Sequence, residues 1–297
     1  MPVQIGAALC ISIDLELMWG RWDRIDARSI RLAEQAERPI VRRLIQLAER
    51  YDIPMTWAVV GRVFDDGPGF QDLPGPREAW FAPELVEAIQ GSPVAHDIGS
   101  HSHAHLYYGE ISDAEASLDL GRDLELRKRW GIPMRSWVFP CNKLGHLEKL
   151  AKAGVEVYRT HDAGWLELVR NHVPRLYPVG NLLDKILPVT PPLVEAQARS
   201  FGEHRAVALP SSTLLLGRDG LRRLALPSVS KLRWLRALEN ATRQRKVFHP
   251  WFHPSNFYTD AETQFSILET LFRAAAGKRD AGVLRIATMA DFSEGAS

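Results

Sequence analysis

Cysteine is scarce. Cys10 and Cys141 are the only two in 297 residues. Both lie in apolar runs, so they read as buried free thiols rather than as a disulfide framework. Nor does either charge predominate. Lysine plus arginine number 37, aspartate plus glutamate 36, a formal net charge of +1. That balance excludes binding to nucleic acid by bulk charge. Long hydrophobic runs are missing as well. A helix spanning a bilayer needs about 20 apolar residues, whereas the run Ala7–Ile13 is far shorter and leads into acids. No basic segment precedes it, so neither a signal peptide nor a transmembrane helix is expected, and the cytoplasm is the expected compartment. No repeat of about 20–50 residues stands out, which argues against a solenoid. What remains is ordinary globular composition, 45% hydrophobic and 25% charged, long enough for one large core.

Short β-branched runs alternate with longer amphipathic ones. The pattern predicts strands over 7–14, 55–60, 95–101, 135–140, 155–160, 206–209, 246–252 and 283–288. It predicts helices over 29–50, 83–90, 112–130, 144–153, 228–245 and 260–276. Ser112 with Glu115 makes a capping box, and Gly131 and Gly154 fall where helix C-caps belong. Strands separated by helices imply a parallel α/β barrel in a single domain over residues 1–297. Loop insertions are expected near 65–76 and 174–205, where glycine and proline concentrate. In the first strand, Ala8, Cys10, Ser12 and Asp14 share one face, and Leu9, Ile11, Ile13 and Leu15 the other. A small barrel lumen takes the smaller set, so Asp14 falls inside, at the strand end where barrel active sites sit.

Three short segments carry chemistry. His101-Ser102-His103-Ala104-His105 follows the third strand, and a spacing of four lets His101 and His105 share a metal on one side of a helical turn. Such a turn is more often a surface loop or a satisfied hydrogen-bond network. Asp14-Leu15-Glu16 ends the first strand. Two carboxylates two residues apart point the same way, as a loop pair or as ligand and base. Glu16, His101 and His105 supply the three protein ligands of a catalytic divalent metal site, for which zinc suits best. Asp14 then serves as general base beside it. His253, in Trp251-Phe252-His253-Pro254, is the candidate general acid, with simple packing as the alternative. Trp19 offers a flat face for a sugar, or else fills the core or rim.

In order and context these segments resemble the polysaccharide deacetylases, the family-4 carbohydrate esterases. The resemblance rests on Ser12–Glu16, His101–His105 and Trp251–Pro254 and spans about residues 7 to 290. It implies a distorted (β/α)7-type barrel, a divalent metal, usually zinc, and hydrolysis of N- or O-acetyl groups on a carbohydrate. Matched by motif, it implies Asp14 as base, Glu16, His101 and His105 as ligands, and His253 as acid. The family usually has adjacent aspartates, so the residue inserted between two acids, and Glu16 as ligand, are departures. A larger one lies in Trp137–Asn142. The family arginine that orients the aspartate is replaced by Val138, and the position after the proline is Cys141. Arg159, at another strand end, is the candidate replacement. The resemblance implies that the Cys141 backbone N–H helps hold the oxyanion, whatever its side chain. His161–Trp165 loosely matches the segment carrying an aspartate that polarises the acid histidine, here Asp162, and a groove-lining tryptophan, here Trp165.

Between Arg218 and Lys246 stand nine basic residues against two acidic ones. This basic amphipathic helix is either a barrel helix with a solvated face, or a peripheral contact with anionic lipid or a lipid-linked glycan. Three functions follow: a carbohydrate deacetylase, a hydrolase of cyclic amides on the same fold, and, because the motif arginine is missing, a catalytically weakened glycan-binding protein.

Overall fold

The structure, a computed structural model, describes residues 6–66, 72–163 and 189–293. In chain order the described elements are β1 (Ala8–Cys10), β2 (Ser12–Leu15), α1 (Ala27–Tyr51), β3 (Thr56–Val59), α2 (Pro83–Gln90), β4 (Asp97–Ser100), α3 (Asp113–Trp130), β5 (Ser136–Val138), α4 (Leu147–Lys152), β6 (Val157–Asp162), β7 (Gln197–Phe201), β8 (His204–Ser211), β9 (Thr213–Leu214), α5 (Pro227–Gln244), β10 (Val247–Phe248), β11 (Pro250–Phe252), α6 (Ala261–Asp280) and β12 (Arg285–Ala287).

Neighbouring strands of the ring run parallel: β2 with β3, β3 with β4, β4 with β5, β5 with β6, β6 with β8. The run β8–β9 closes it. Its first part pairs with β6, and its second pairs with β11, which returns to β2. The result is the expected distorted seven-stranded barrel. Closure is complete only at the C-terminal strand ends, where an active site belongs. Lower down, β7 folds antiparallel onto β8, Val194 bridges to Val247, and β1 lies between β10 and β12.

Alternation in the first strand decides the two cores. Leu9, Ile11, Ile13 and Leu15 face outward and are buried under α1 and α6, against Leu44, Leu268 and Phe272. Ala8 and Cys10 face the lumen with Ala58, Val138, Val157, Val207 and Leu209. Mostly small and β-branched side chains fill that confined interior, with Leu209, Met289 and Phe292 as the larger members, and at the mouth Ser12 and Asp14 continue the inner face.

Several expectations need correction. The region near 174–205 is not all loop. It contains β7, a strand of mostly polar residues whose exposed outer edge hides the period-two pattern. The N-terminal strand breaks at Ile11, and its late partner breaks at His249, just before Pro250, which has no N–H for a ladder. Part of each expected insertion (67–71 and 164–188) lies outside the described residues. The capping box at Ser112 and Glu115 is present, and Gly131 closes α3 at φ 66°.

One buried arginine fastens α3 to the strand that leads into the histidine turn. Arg127 donates from Nη1 to the Ile98 carbonyl and from Nη2 to the Gly99 carbonyl, both at 2.8 Å. Its Nε reaches Asp123 at 2.9 Å, and the same carboxylate accepts from Ser100 Oγ at 2.7 Å. Both charges are sealed from solvent, with side chains 1% and 0% exposed. Removing one partner of such a pair strands the other charge in the core and costs about 3–5 kcal/mol. Arg127→Ala should therefore lower the urea unfolding free energy by about that amount. A loss near that of an ordinary surface substitution contradicts this anchoring role.

Candidate active site and metal centre

Four strands deliver side chains to one basin at the barrel mouth. Asp14 comes from β2, Glu16 from the turn after it, His101 and His105 from the loop after β4, Arg159 from β6 and His253 from the end of β11. Glu16 Oε1 lies 2.9 Å from His101 Nε2 and 3.2 Å from His105 Nε2. His253 Nε2 stands 3.5 Å from the same oxygen and 3.8 Å from Asp14 Oδ2. The donor atoms of Glu16, His101 and His105 all lie within 4.8 Å of one another, as do those of Asp14, Glu16 and His253.

The proton inventory asks for a positive charge here. His101 Nδ1 lies 2.8 Å from the Val138 carbonyl oxygen, which only accepts, so Nδ1 carries a proton. His101 Nε2 then meets the Glu16 carboxylate with either a second proton or a lone pair. Two lone-pair atoms do not rest 2.9 Å apart without a cation beside them. A carboxylate and two imidazoles whose second nitrogens are turned away fit a divalent metal, and zinc among these. Burial pushes the Glu16 carboxyl up, but the charges of His253 and His105 and the bonds from His101 and His105 outweigh it, holding it well below the ordinary range. Burial lowers the His253 pKa, yet Glu16 and Asp14 together raise it to about 9.

Asp14, only 2% exposed, would be costly as a bare buried carboxylate. Arg159 meets it with both fork nitrogens, at 2.7 Å to Oδ1 and 2.6 Å to Oδ2. Burial alone raises the Asp14 pKa, and the Arg159, His101 and His253 charges bring the net shift below the ordinary carboxylate value. Arg159 is itself fixed. Its guanidinium lies 4.3 Å above the Trp251 ring, and Nη1 donates to Ser12 Oγ at 3.0 Å. His249 Nδ1 faces the Pro210 carbonyl at 2.9 Å, so Nε2 is the acceptor for the Ser12 hydroxyl at 3.0 Å. Burial and the Arg159 charge push His249 down to about 3, which keeps it neutral. Val138, at the position where the family resemblance implies an arginine, pairs in register with Arg159 on the neighbouring strand. The guanidinium thus enters at the same level of the barrel from one strand further round.

The histidine turn is not the helical turn that the spacing suggested. Ser102 and His105 take left-handed φ values of 65° and 57°. Asp119 of α3 holds this shape by accepting from Ser102 Oγ, the His103 and Ala104 amides and the Tyr108 hydroxyl, all at 2.9–3.0 Å. Its own burial raises its pKa. His103 turns away from the centre to Asp65, at 2.9 Å.

Other sequence expectations fare differently. Trp19 does not line the mouth. The turn Leu17–Arg21 folds it inward, 7% exposed, with its indole N–H on the Trp80 carbonyl at 2.8 Å. Cys141 is exposed rather than buried, because the turn after β5 takes it through φ 51° and onto the cavity wall. Asp162 does not reach His253. It accepts from Trp251 Nε1 at 2.7 Å and Ser211 Oγ at 2.6 Å. Trp165 lies outside the described residues. The basic stretch 218–246 is no continuous free face: Arg233 is buried on the Val189 carbonyl, Arg218 pairs with Asp260 and Lys246 with Glu195. Among the described residues no helix is long and apolar enough to cross a membrane.

Sequence reasoning missed four supporting residues. Ser12 carried a signal, being on the inner face one step below Asp14. Asp119 and His249 carried none that spacing reveals. Gly20 is the fourth. A Cβ placed there would lie 1.8 Å from Glu16 Oε2, at the mobile tip of that side chain. Gly20→Ala should therefore push the Glu16 carboxylate aside while the fold tolerates it. The expected result is at least about ten-fold weaker zinc binding, the scale of a disturbed ligand orientation, with little change in melting temperature. Unchanged zinc affinity contradicts this packing argument.

Comparison with known proteins bears on these assignments. Residues 34–158 match the family described as polysaccharide deacetylase. The matched span holds the histidine turn but stops one residue short of Arg159. Comparison with curated proteins gives no match. A solved Mycobacterium smegmatis protein assigned to the polysaccharide deacetylases aligns at 15% identity over 97% of this chain and 90% of its own, with a TM-score of 0.66. A Pseudomonas aeruginosa PAO1 protein with the same assignment aligns at 14% identity over 97% and 90%, TM-score 0.58. PuuE allantoinase aligns at 12% over 97% and 89%, TM-score 0.58. At such identities these likenesses establish the fold. The resemblance read from the motifs therefore holds, with the polysaccharide deacetylase family matched over residues 34–158 and its barrel fold running through nearly the whole chain.

Proposed function

We propose that this chain is a metal-dependent hydrolase that removes acetyl groups from a carbohydrate. One observation carries the reading: Glu16, His101 and His105 aim their donor atoms at one point, with Asp14 and His253 beside them, at the mouth of the barrel. The cavity there has a volume of about 570 Å³, room for a sugar or two. A divalent ion held by that trio, zinc by its donors, would polarise a carbonyl oxygen and acidify a water molecule.

The side chains then divide the work. Asp14, kept as a carboxylate by Arg159, accepts the proton of the attacking water. Each of its oxygens retains a lone pair after the two guanidinium bonds. The backbone N–H of Cys141, a residue on the cavity wall, helps neutralise the oxygen charge of the tetrahedral intermediate. His253, whose pKa the neighbouring Glu16 and Asp14 carboxylates raise, donates to the leaving amine or alcohol as the acetyl carbon–heteroatom bond breaks. Acetate and the deacetylated sugar are the products. The Arg159–Asp14 pairing supports this enzymatic reading over a weakened glycan-binding one, since the orienting cation is supplied from another strand. The likeness to an allantoinase favours one second reading, opening of a cyclic amide by the same groups.

Acetate release from acetylated oligosaccharides is the measurement that separates these. Asp14→Asn and His253→Ala should each lower kcat by about 10²–10⁴-fold, and chelation of metal should abolish turnover until zinc is restored. Full activity in metal-free protein contradicts the mechanism. Ring opening of cyclic amides without acetate release moves the assignment to the second reading.

A further inference from the structure

The cavity that holds the acids at its floor carries cations at its rim. Arg21 and Arg24, from the segment after Glu16, and Arg222, from the turn before α5, line it together with Ser255 and Asn256. A second cleft shares Arg21, Arg222, Ser255 and Asn256 and extends to Arg28. The guanidinium groups thus come from segments about two hundred residues apart and meet at one opening. In a chain of net charge +1 this is placement, not composition.

None of the three is strongly engaged within the described residues. Arg21 Nη1 meets the neutral Ser29 hydroxyl at 3.3 Å. Arg24 pairs with Asp23 at 3.5 Å, its side chain 77% exposed. Arg222 pairs with Asp219 at 3.2 Å, with side chains 47% and 56% exposed. Single-point pairs in water contribute little, so these forks are available to a ligand. Asp26, the carboxylate lining both clefts, is occupied as the cap of α1, accepting from the Ser29 amide at 2.9 Å and the Ser29 hydroxyl at 2.6 Å. By contrast, Arg218 is only 11% exposed, spanning Asp260 and the Arg223 carbonyl at 2.8 and 3.2 Å. At the floor, Asp14 already has the Arg159 fork and Glu16 has imidazole neighbours, so the rim arginines are not needed there.

We infer that the substrate of this site is an anionic acetylated sugar, whose phosphoryl or carboxylate group is gripped at the rim by Arg21, Arg24 and Arg222 while its acetyl group reaches the floor. Planar guanidinium forks match both oxyanions with paired hydrogen bonds. The inference rests on the acetyl-hydrolase reading for what happens at the floor, but the grip is separable from it. Because the rim is a feature of the mouth, it sets the affinity of the substrate and its salt dependence rather than the chemical step.

Calorimetric titration of the purified full-length chain tests the grip without turnover. The probes are N-acetylglucosamine 1-phosphate, a disaccharide of N-acetylglucosamine with glucuronate, and neutral N-acetylglucosamine. At low salt at least one charged probe should bind about ten-fold or more tightly than the neutral one, the scale of a charge-assisted hydrogen bond. The charged probe that binds better identifies the oxyanion. The advantage should shrink in 0.5 M salt, as expected of partly exposed charges, and vanish in the double variant Arg21→Ala/Arg222→Ala. Equal binding of charged and neutral probes overturns the inference, and so does a preference that survives intact in the double variant, which would place the anion on the metal. Should the variant fail to fold, the salt dependence of the unmodified chain decides: a charged-probe advantage that shrinks with salt supports the grip, and one that salt leaves unchanged overturns it. Arginine-dependent preference without acetate release leaves the grip standing and removes the hydrolase reading. Acetate release combined with equal affinity for charged and neutral acetyl sugars does the reverse.

Discussion

Two carboxylates two residues apart share one buried basin, and the barrel must keep their charges from opposing each other. It does so by giving each a different kind of cation. Asp14 receives a permanent one, the Arg159 fork, which is always charged and forms both bonds at once. Glu16 receives imidazoles, whose charge is conditional and whose nitrogens also bind metals. The same residue type, the carboxylate, thereby meets two different electrostatic environments. The rest of the basin follows from this partition. Ser12, His249 and Trp251 hold the arginine, and the Val138 carbonyl and Asp119 hold the imidazoles. Gly20 leaves space for the second acid.

The closed ring makes the partition possible. Asp14 and Arg159 are 145 residues apart in sequence, Glu16 and His101 85. Asp14, Glu16 and His101 sit near, or just beyond, the C-terminal ends of parallel strands, and Arg159, inside β6, is level with the last residue of β5, so closure of β6 through β8–β9 to β11 and β2 brings them to one mouth. Rigid strands fix such groups more tightly than loops do. The loop that does contribute, the histidine turn, has its shape imposed by a buried aspartate and by Arg127, which ties α3 to the strand below it.

Much of this was legible in the sequence, for identifiable reasons. Alternation along 8–15 separates lumen from outer face because period two admits one solution when the lumen demands small residues. The histidine spacing and the acid pair pointed to side chains that the fold brings together, with Glu16 Oε1 2.9 Å from His101 Nε2 and 3.2 Å from His105 Nε2. Arg159 was expected at a strand end, whereas β6 runs on to Asp162; it reaches Asp14 because its inner-face position is level with the end of β5. Other features were not legible. Trp19 reads the same whether it stacks on a sugar or on Trp80, since an indole suits both. The exposure of Cys141 depends on a left-handed turn that no neighbouring glycine announces. Asp162 was given to His253 on motif position, yet the nearer Trp251 indole and Ser211 hydroxyl take its oxygen. The edge strand β7 escaped because its polar residues face water on the unpaired side.

The central claim is that Glu16, His101 and His105 jointly bind a metal ion. Anomalous scattering from crystals of the chain grown with zinc tests it most directly. One strong peak is expected about 2.0–2.2 Å from a Glu16 oxygen and from His101 Nε2 and His105 Nε2, with Asp14 still held by Arg159. A basin without an anomalous peak, or zinc bound elsewhere while Glu16 stays hydrogen-bonded to two protonated imidazoles, contradicts it.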